Sequence, residues 1–178
     1  MNYQDHRSSI QEGDVVAFQF APWSIFSQVI SIWTRSKFSH VGIVMKVHGR
    51  LAVIEALEGV GVRIHPLSHL VKTRKIHWFR VTDDDIHQAE ITRAALTRWG
   101  CRYASPWQFI RSFSLVTSWL CDRLGVRHDT NPNRFFCSEY VMHCLHQAGY
   151  QGESPADANT TPDDITRLSC LHHQGLLQ

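Results

Sequence analysis

The stretch NRFFCSEYVMHCLHQAGY, residues 133–150, combines a helical pattern of apolar residues with a cysteine near its start. Pro132 does not fit inside a helix, so the helix is predicted to begin between Asn133 and Phe136. Cys137 then lies in the first turn, where free backbone N–H groups and the helix dipole favour an anion. A thiolate there would be a far better nucleophile than an ordinary thiol.

The same helix also offers a purely structural role for Cys137. Four further residues share its helical stripe: Val141, Cys144, Leu145 and Ala148. A buried cysteine on such a stripe commonly serves packing. Cys144 is assigned to the core for this reason, and for Cys137 the helix pattern alone leaves both roles open.

A metal site is the third alternative, because the helix also carries His143 and His146. Adjacent residues such as His143 and Cys144 point about 100° apart on a helix. The familiar zinc-binding spacings are missing from the sequence. The sequence therefore predicts no metal ligand and no cofactor, while a metal-binding module stays an alternative.

Composition limits the class of protein. The chain has 178 residues, 43% hydrophobic and 19% charged, which suits a single domain over residues 1–178 with a core at about 13–168. A net charge of +2 and the lack of a Lys/Arg run argue against nucleic acid as a partner. The sequence has no apolar run of the roughly 18 residues needed to span a membrane, and its oligomeric state stays open.

The cysteines and the polar first residues bear on location. Five cysteines, an odd number without a C-x-x-C pair, favour a reducing compartment over a disulfide framework. The first 14 residues, MNYQDHRSSIQEGD, contain no apolar signal region. The default expectation is a cytoplasmic protein, although delivery elsewhere by another route stays compatible with the sequence.

Strands dominate the first part of the chain and helices the later part. Strands are predicted at residues 15–20, 40–47, 51–57, 61–67 and 75–81. Helices are predicted at residues 22–33, 82–100 and 105–125 and in the Cys137 stretch, with a short turn at 161–168 before a loose tail. Short links between strands favour antiparallel pairing, so the predicted class is α+β, an antiparallel sheet packed against helices.

His40 and Glu55 are the candidates to accompany Cys137. His40 opens an apolar strand, and Glu55 interrupts the next one, where a charge needs either solvent or a partner. If His48 and Gly49 form a two-residue hairpin turn, His40 pairs opposite Leu57. Glu55 then shares its face diagonally, about 7–8 Å away between Cα atoms. A three-residue loop would place the two on opposite faces, and either residue could instead face water.

Six segments in this order carry a resemblance to a known family. They are GDVVAF, SQVISIWTRSKFSHVGIVMK, AVIEALEGVGVRIHPL, GCRYASPWQF, FFCSEYV and TPDDI, spread between about residues 13 and 166. The chain resembles the circularly permuted branch of the NlpC-type cysteine peptidase superfamily, the YiiX/YebB-like group. The resemblance implies a papain-like fold with Cys137 as nucleophile, His40 as general base and acid, and Glu55 as orienting residue.

The resemblance also suggests a reaction. It favours hydrolysis of an amide bond through a thioester intermediate, in a peptide, a peptidoglycan stem or an acyl-amino conjugate. Relatives in the lecithin retinol acyltransferase branch move acyl chains, so a lipid-type acyltransferase or a thioesterase is the alternative. A non-catalytic binding protein that keeps the fold is the second alternative.

Three aromatic residues are predicted to contact the substrate: Tyr103, Phe38 and Phe136. Tyr103 falls where the family often carries Tyr followed by Asp, but Ala104 replaces that Asp here. Aromatic side chains would suit an apolar acyl group, and they would suit a packed core as well.

Overall fold

The computed structural model describes residues 2–19, 37–103, 134–152 and 160–178. These parts of the chain form an α+β fold, as predicted. The strands are β1 (Val15–Gln19), β2 (Phe38–Val47), β3 (Arg50–Leu57), β4 (Gly61–Pro66), β5 (Ile76–Val81), β6 (Arg102–Tyr103), β7 (Arg134–Phe135) and β8 (Leu171–Leu177). The helices are α1 (Tyr3–His6), α2 (Leu67–Thr73), α3 (Gln88–Thr97), α4 (Cys137–Gln147) and α5 (Pro162–Thr166).

Six strands form one sheet in the order β4-β3-β2-β1-β5-β8, and every neighbouring pair is antiparallel. The short strands β6 and β7 form a separate parallel pair. Within the described ranges, no helix is long and apolar enough to cross a membrane.

Both faces of the sheet are covered. Helices α3, α4 and α5 contact β2, and their apolar residues join Val41 and Ile43 in one core. On the other face, α2 contacts β3 and β4, and its Leu67 packs in a second core that includes Val44 and Val53. This double burial explains why the central strands are apolar at nearly every position, although they are antiparallel.

The β2–β3 hairpin has the two-residue turn that the sequence predicts. His48 and Gly49 both have positive φ, 47° and 74°, as the favoured two-residue hairpin turns require. The register pairs Val47 with Arg50 and continues to Ile43 with Ile54. The β2–β3 pairs end there, and the same register continued would place His40 opposite Leu57, so that pairing stays a prediction.

The helix predicted at residues 82–100 begins later than expected. Residues 82–87 precede α3, which starts at Gln88, so the predicted start at residue 82 was wrong. The side chain of Asp83 instead accepts a hydrogen bond from the backbone N–H of Asp85 in the preceding turn. Short aspartates favour such local bonds, and Glu90 is the acid that falls within the first helical turn.

The C-terminal residues form a strand, so the predicted loose tail was wrong. β8 pairs with β5, and its Leu171 and Leu177 are buried. The middle of β8 is exposed and contains two histidines and a glycine, so the alternating pattern of a strand is weak. The backbone of Gln178 also accepts a hydrogen bond from the N–H of Tyr3, which ties the two ends of the described chain together.

Helix α2, between β4 and β5, was not predicted, and helix α5 lies within the predicted turn and begins with Thr161 as its cap. The helices predicted at residues 22–33 and 105–125 lie outside the described residues. The single-domain division of the chain stays a prediction.

Replacing Gly49 with alanine tests the hairpin. Nothing lies within 4 Å of the added Cβ, so the change acts through the positive φ alone. We expect the Gly49→Ala variant to lose about 1 kcal/mol in free energy of unfolding, measured by urea denaturation. Gly42→Ala is the contrasting variant. The φ of Gly42 lies outside the positive region, so this change acts through the packed atoms that the added Cβ meets and not through the backbone conformation. Undiminished stability of Gly49→Ala would contradict this account of the turn.

Candidate active site

The start of helix α4 places Cys137 beside strand β2. Phe136 is the residue that precedes the helix, in an extended conformation, and Cys137 is its first residue. Cys137 thus lies in the first turn, as predicted, although the helix begins one residue after the predicted range. The carboxylate of Glu139 accepts a hydrogen bond from the Phe136 backbone N–H at 3.2 Å, so Glu139 caps the helix. Backbone N–H groups of Ser138 and Val41 hydrogen bond to the sulfur of Cys137.

His40 and Glu55 meet across β2 and β3. The Nε2 atom of His40 lies 2.8 Å from Oε2 of Glu55. His40 is 7% exposed and Glu55 1% exposed, so neither side chain faces open water. The sequence left a solvent-facing Glu55 as an alternative, and the structure excludes that alternative.

Gly42 makes room for this pair. It lies between His40 and Val44 on β2, and a Cβ at this position would stand 2.6 Å from Cγ1 of Val53 and 3.3 Å from Cβ of Glu55. Any larger residue would therefore push on the strand that carries the carboxylate. The glycine in the quoted S-H-V-G-I-V segment thus has a packing reason.

The imidazole of His40 also hydrogen bonds to the Cys137 thiol. Residues from a helix start and two neighbouring strands therefore form one continuous chain of contacts, from sulfur to imidazole to carboxylate. Cys137 is 6% exposed. The structure thus brings together all three residues that the sequence singled out for chemistry.

The environment favours an ion pair between Cys137 and His40. Burial raises the pKa of Cys137, but the charge and hydrogen bond of His40, with the two backbone N–H groups, bring it below its usual value. Burial lowers the pKa of His40, but the Cys137 thiolate and the Glu55 carboxylate together raise it to about 9. The thiolate and the imidazolium stabilise each other.

Arg63 completes the surroundings of Glu55, and the sequence analysis did not identify it. Its Nε and Nη2 atoms both donate to Oε1 of Glu55, at 3.0 and 2.8 Å. Burial raises the pKa of Glu55, but the hydrogen bonds and charges of His40 and Arg63 lower it to about 2. The register of β3 and β4 pairs Glu55 directly with Arg63, and this pairing is the feature that could have identified Arg63 from the sequence.

Two of the three predicted aromatic residues lie near Cys137. The rings of Tyr103 and Phe136 pack edge to face, with centroids 5.7 Å apart. Burial raises the pKa of Tyr103 well above its usual value, and the negative charge of Cys137 adds to this effect. The ring of Phe38 packs edge to face on Phe79, 6.2 Å away, toward β5.

Cys144 and Cys170 differ from Cys137. Cys144 is fully buried in the core, as predicted, and burial raises its pKa to about 12. Burial likewise raises the pKa of Cys170 to about 11. Among these thiols, Cys137 is the one whose pKa is lowered, and thiolate character is what makes a cysteine reactive.

A cleft of about 900 Å³ lies at the far end of the sheet from Cys137. It is lined in part by Tyr3, Arg7, Val47 and Arg50. Val47 ends β2 seven residues after His40, which corresponds to roughly 23 Å along a strand. This distance separates the cleft from Cys137, so the cleft is not assigned to the chemistry there.

A thiol at a helix start, an imidazole and a carboxylate on adjacent strands, and an antiparallel sheet packed by helices together indicate a papain-like protein. The profile of the family described as "permuted papain-like amidase enzyme, YaeF/YiiX, C92 family" matches residues 9–156. The chain belongs to this family, which confirms the permuted papain-like relationship inferred from its motifs. No curated protein matches the chain.

A solved structure similar to the chain is the crystal structure of metalloprotein yiiX from Escherichia coli O157:H7. The two share 24% sequence identity with a TM-score of 0.55. The match covers 78% of this chain and 66% of that one, so the chain spans just under two thirds of the length of yiiX. This likeness supports the fold.

Replacing Glu55 with glutamine tests the electrostatic coupling. The neutral amide no longer stabilises the imidazolium, so we expect the pKa of His40 to fall from about 9, as measured by NMR titration of the imidazole. Because the wild-type pKa stands above the unfolded value of about 6.5, the stabilisation is complete below that pH and is lost as pH rises through about 9. The difference in free energy of unfolding between the wild type and Glu55→Gln should therefore decrease as pH rises through about 9.

Asp14→Asn is the matched control, because Asp14 is also a fully buried carboxylate but contacts Trp78 and Arg80 instead. This variant should lose stability and leave the His40 titration unchanged. An unchanged His40 pKa in Glu55→Gln would contradict the coupling.

Proposed function

We propose that the protein is a cysteine hydrolase that cleaves an amide bond through a thioester on Cys137. The observation that carries this proposal is the continuous contact from the Cys137 sulfur to His40 and from His40 to Glu55. A core cysteine needs no such partners, and the lowered pKa of this thiol is the property that a nucleophile requires.

In the proposed reaction, the thiolate of Cys137 attacks the amide carbonyl carbon and pushes its electrons onto oxygen. The backbone N–H of Cys137 at the helix start is a suitable donor for the oxyanion that forms. The imidazolium of His40 then gives its proton to the leaving amine, and the C–N bond breaks. The acyl group remains on sulfur as a thioester.

Water completes the proposed cycle. His40, now neutral, takes a proton from a water molecule that attacks the thioester carbonyl. The C–S bond breaks, and Cys137 returns to the thiolate form as the carboxylic acid leaves. Glu55 keeps the imidazole oriented and stabilises its charged form in both halves of the cycle.

For the substrate we propose a peptide, a peptidoglycan stem or an acyl-amino conjugate. Membership in a family of amidase enzymes supports the amide bond. The paired rings of Tyr103 and Phe136 beside Cys137 support an apolar group next to the scissile bond. The same rings would suit the acyl chain of a lipid or a thioester, so the test includes both.

The similarity to a metalloprotein raises the question of a metal. In the part of the chain that the structure describes, no group of three or more His, Cys, Asp or Glu side chains is arranged to hold a metal ion. The described donors therefore do not fit a metal site, and the proposed cycle uses none.

The direct test incubates the purified protein with amide, ester and thioester acyl donors and detects adducts by mass spectrometry. We expect an acyl adduct on Cys137 and release of the amine from amide donors. Cys137→Ala and His40→Ala should each lower turnover by several orders of magnitude, because the nucleophile and its base act as a unit.

Cys144→Ala is the matched control, since Cys144 lies two turns later on the same helix but is buried in the core. It should lower the melting temperature and retain adduct formation. Turnover that survives in folded Cys137→Ala would rule out the proposed nucleophile. Preferential transfer from ester or thioester donors would replace the amidase proposal with acyl transfer.

A further inference from the structure

The two oxygens of Glu55 have separate partners. Oε2 accepts from Nε2 of His40 at 2.8 Å, whereas Oε1 accepts both bonds from Arg63. Arg63 therefore holds the carboxylate without competing for the oxygen that meets the imidazole. Rotation of the carboxylate would break hydrogen bonds at both oxygens at once.

The register builds this arrangement into the sheet. Glu55 and Arg63 are direct cross-strand partners on β3 and β4, and His40 lies diagonally from Glu55 on β2. Three adjacent strands thus supply one imidazole, one carboxylate and one guanidinium in a row. The Arg63 side chain is 30% exposed while Glu55 is 1% exposed, so the arginine stands between the buried carboxylate and solvent.

We propose that Arg63 is a positioning residue of the active site, which acts through Glu55 to fix the orientation and charge state of His40. This inference rests on the proposed function, because it assigns Arg63 a role in the same reaction. An exposed ion pair on a sheet contributes little, but this pair has one fully buried member that needs partners for its charge.

Charged and ionisable groups face this row from several elements. Among the described residues, Cys137 on α4 interacts with His40, and His65 on β4 interacts with Arg63 and Glu55. One step further out, His69 on α2 and Arg74 act on His65, and Cys137, Glu58 and Glu139 act on Tyr103 of β6. The hydrogen bonds and charges of His40 and Arg63 are the main causes that lower the pKa of Glu55. Loss of Arg63 therefore leaves the imidazolium of His40 as the main partner that keeps the buried carboxylate ionised.

The experiment compares Arg63→Lys and Arg63→Gln with the wild type. In Arg63→Gln the pKa of Glu55 should rise from about 2 by about one to three units, read from the pH dependence of its side-chain carboxyl ¹³C resonance. Glu55→Gln identifies that resonance. Arg63→Lys keeps the charge but not the two donors to one oxygen. The pKa of Glu55 in Arg63→Lys should therefore lie between its values in the wild type and in Arg63→Gln.

The second readout needs no substrate. Iodoacetamide labels the thiolate of Cys137, and mass spectrometry follows the rate at that residue as a function of pH. In Arg63→Gln we expect the labelling rate to fall more at about pH 4 than at about pH 8, because Glu55 is then partly protonated at the lower pH and no longer fully supports the imidazolium. A merely structural loss would lower the rate equally at both values.

Arg80→Gln is the matched control, because Arg80 donates to the buried carboxylate of Asp14 at 2.8 Å elsewhere on the sheet. It should lower stability and leave both readouts as in the wild type. Wild-type labelling only near the pH of a free thiol, about 8.5, would reject the proposed function itself. Wild-type labelling at low pH with an unchanged profile in Arg63→Gln would reject only the role of Arg63.

Discussion

The burial of the Glu55 carboxylate is the constraint on which the site depends. An ionised carboxylate almost out of contact with water is stable only when its oxygens are fully hydrogen bonded. Strand register supplies those partners from both sides, His40 from β2 and Arg63 from β4. The charge of the carboxylate then raises the pKa of the imidazole, and the imidazolium in turn lowers the pKa of the thiol.

Helix α4 contributes the other half of the site. Its first turn offers the N–H of Ser138 to the sulfur of Cys137, and its apolar side packs against the sheet, so the same packing that stabilises the fold holds the thiol beside His40. The thiol of Cys137 is held by a helix and the imidazole of His40 by a strand. Such supports keep reacting groups in place better than loops do.

Much of this arrangement follows from the sequence, because two local rules determine it. A two-residue turn at His48 and Gly49 fixes the face of Glu55 relative to His40, and a proline before a helical pattern places Cys137 in the first turn. Arg63 was missed because an arginine alternating with apolar residues on a strand usually faces water. The last strand was missed because β8 gains its place by pairing with β5, which a weak local pattern does not reveal.

The central claim is that Cys137 exists as a thiolate paired with the imidazolium of His40. The most direct measurement is the ultraviolet absorbance of the thiolate during a pH titration, taken as the difference between wild type and Cys137→Ser. The account predicts thiolate absorbance at pH values well below about 8.5, the pKa of a free cysteine, and loss of this low-pH absorbance in His40→Ala. A wild-type transition at or above the free-cysteine value, unchanged in His40→Ala, would contradict it.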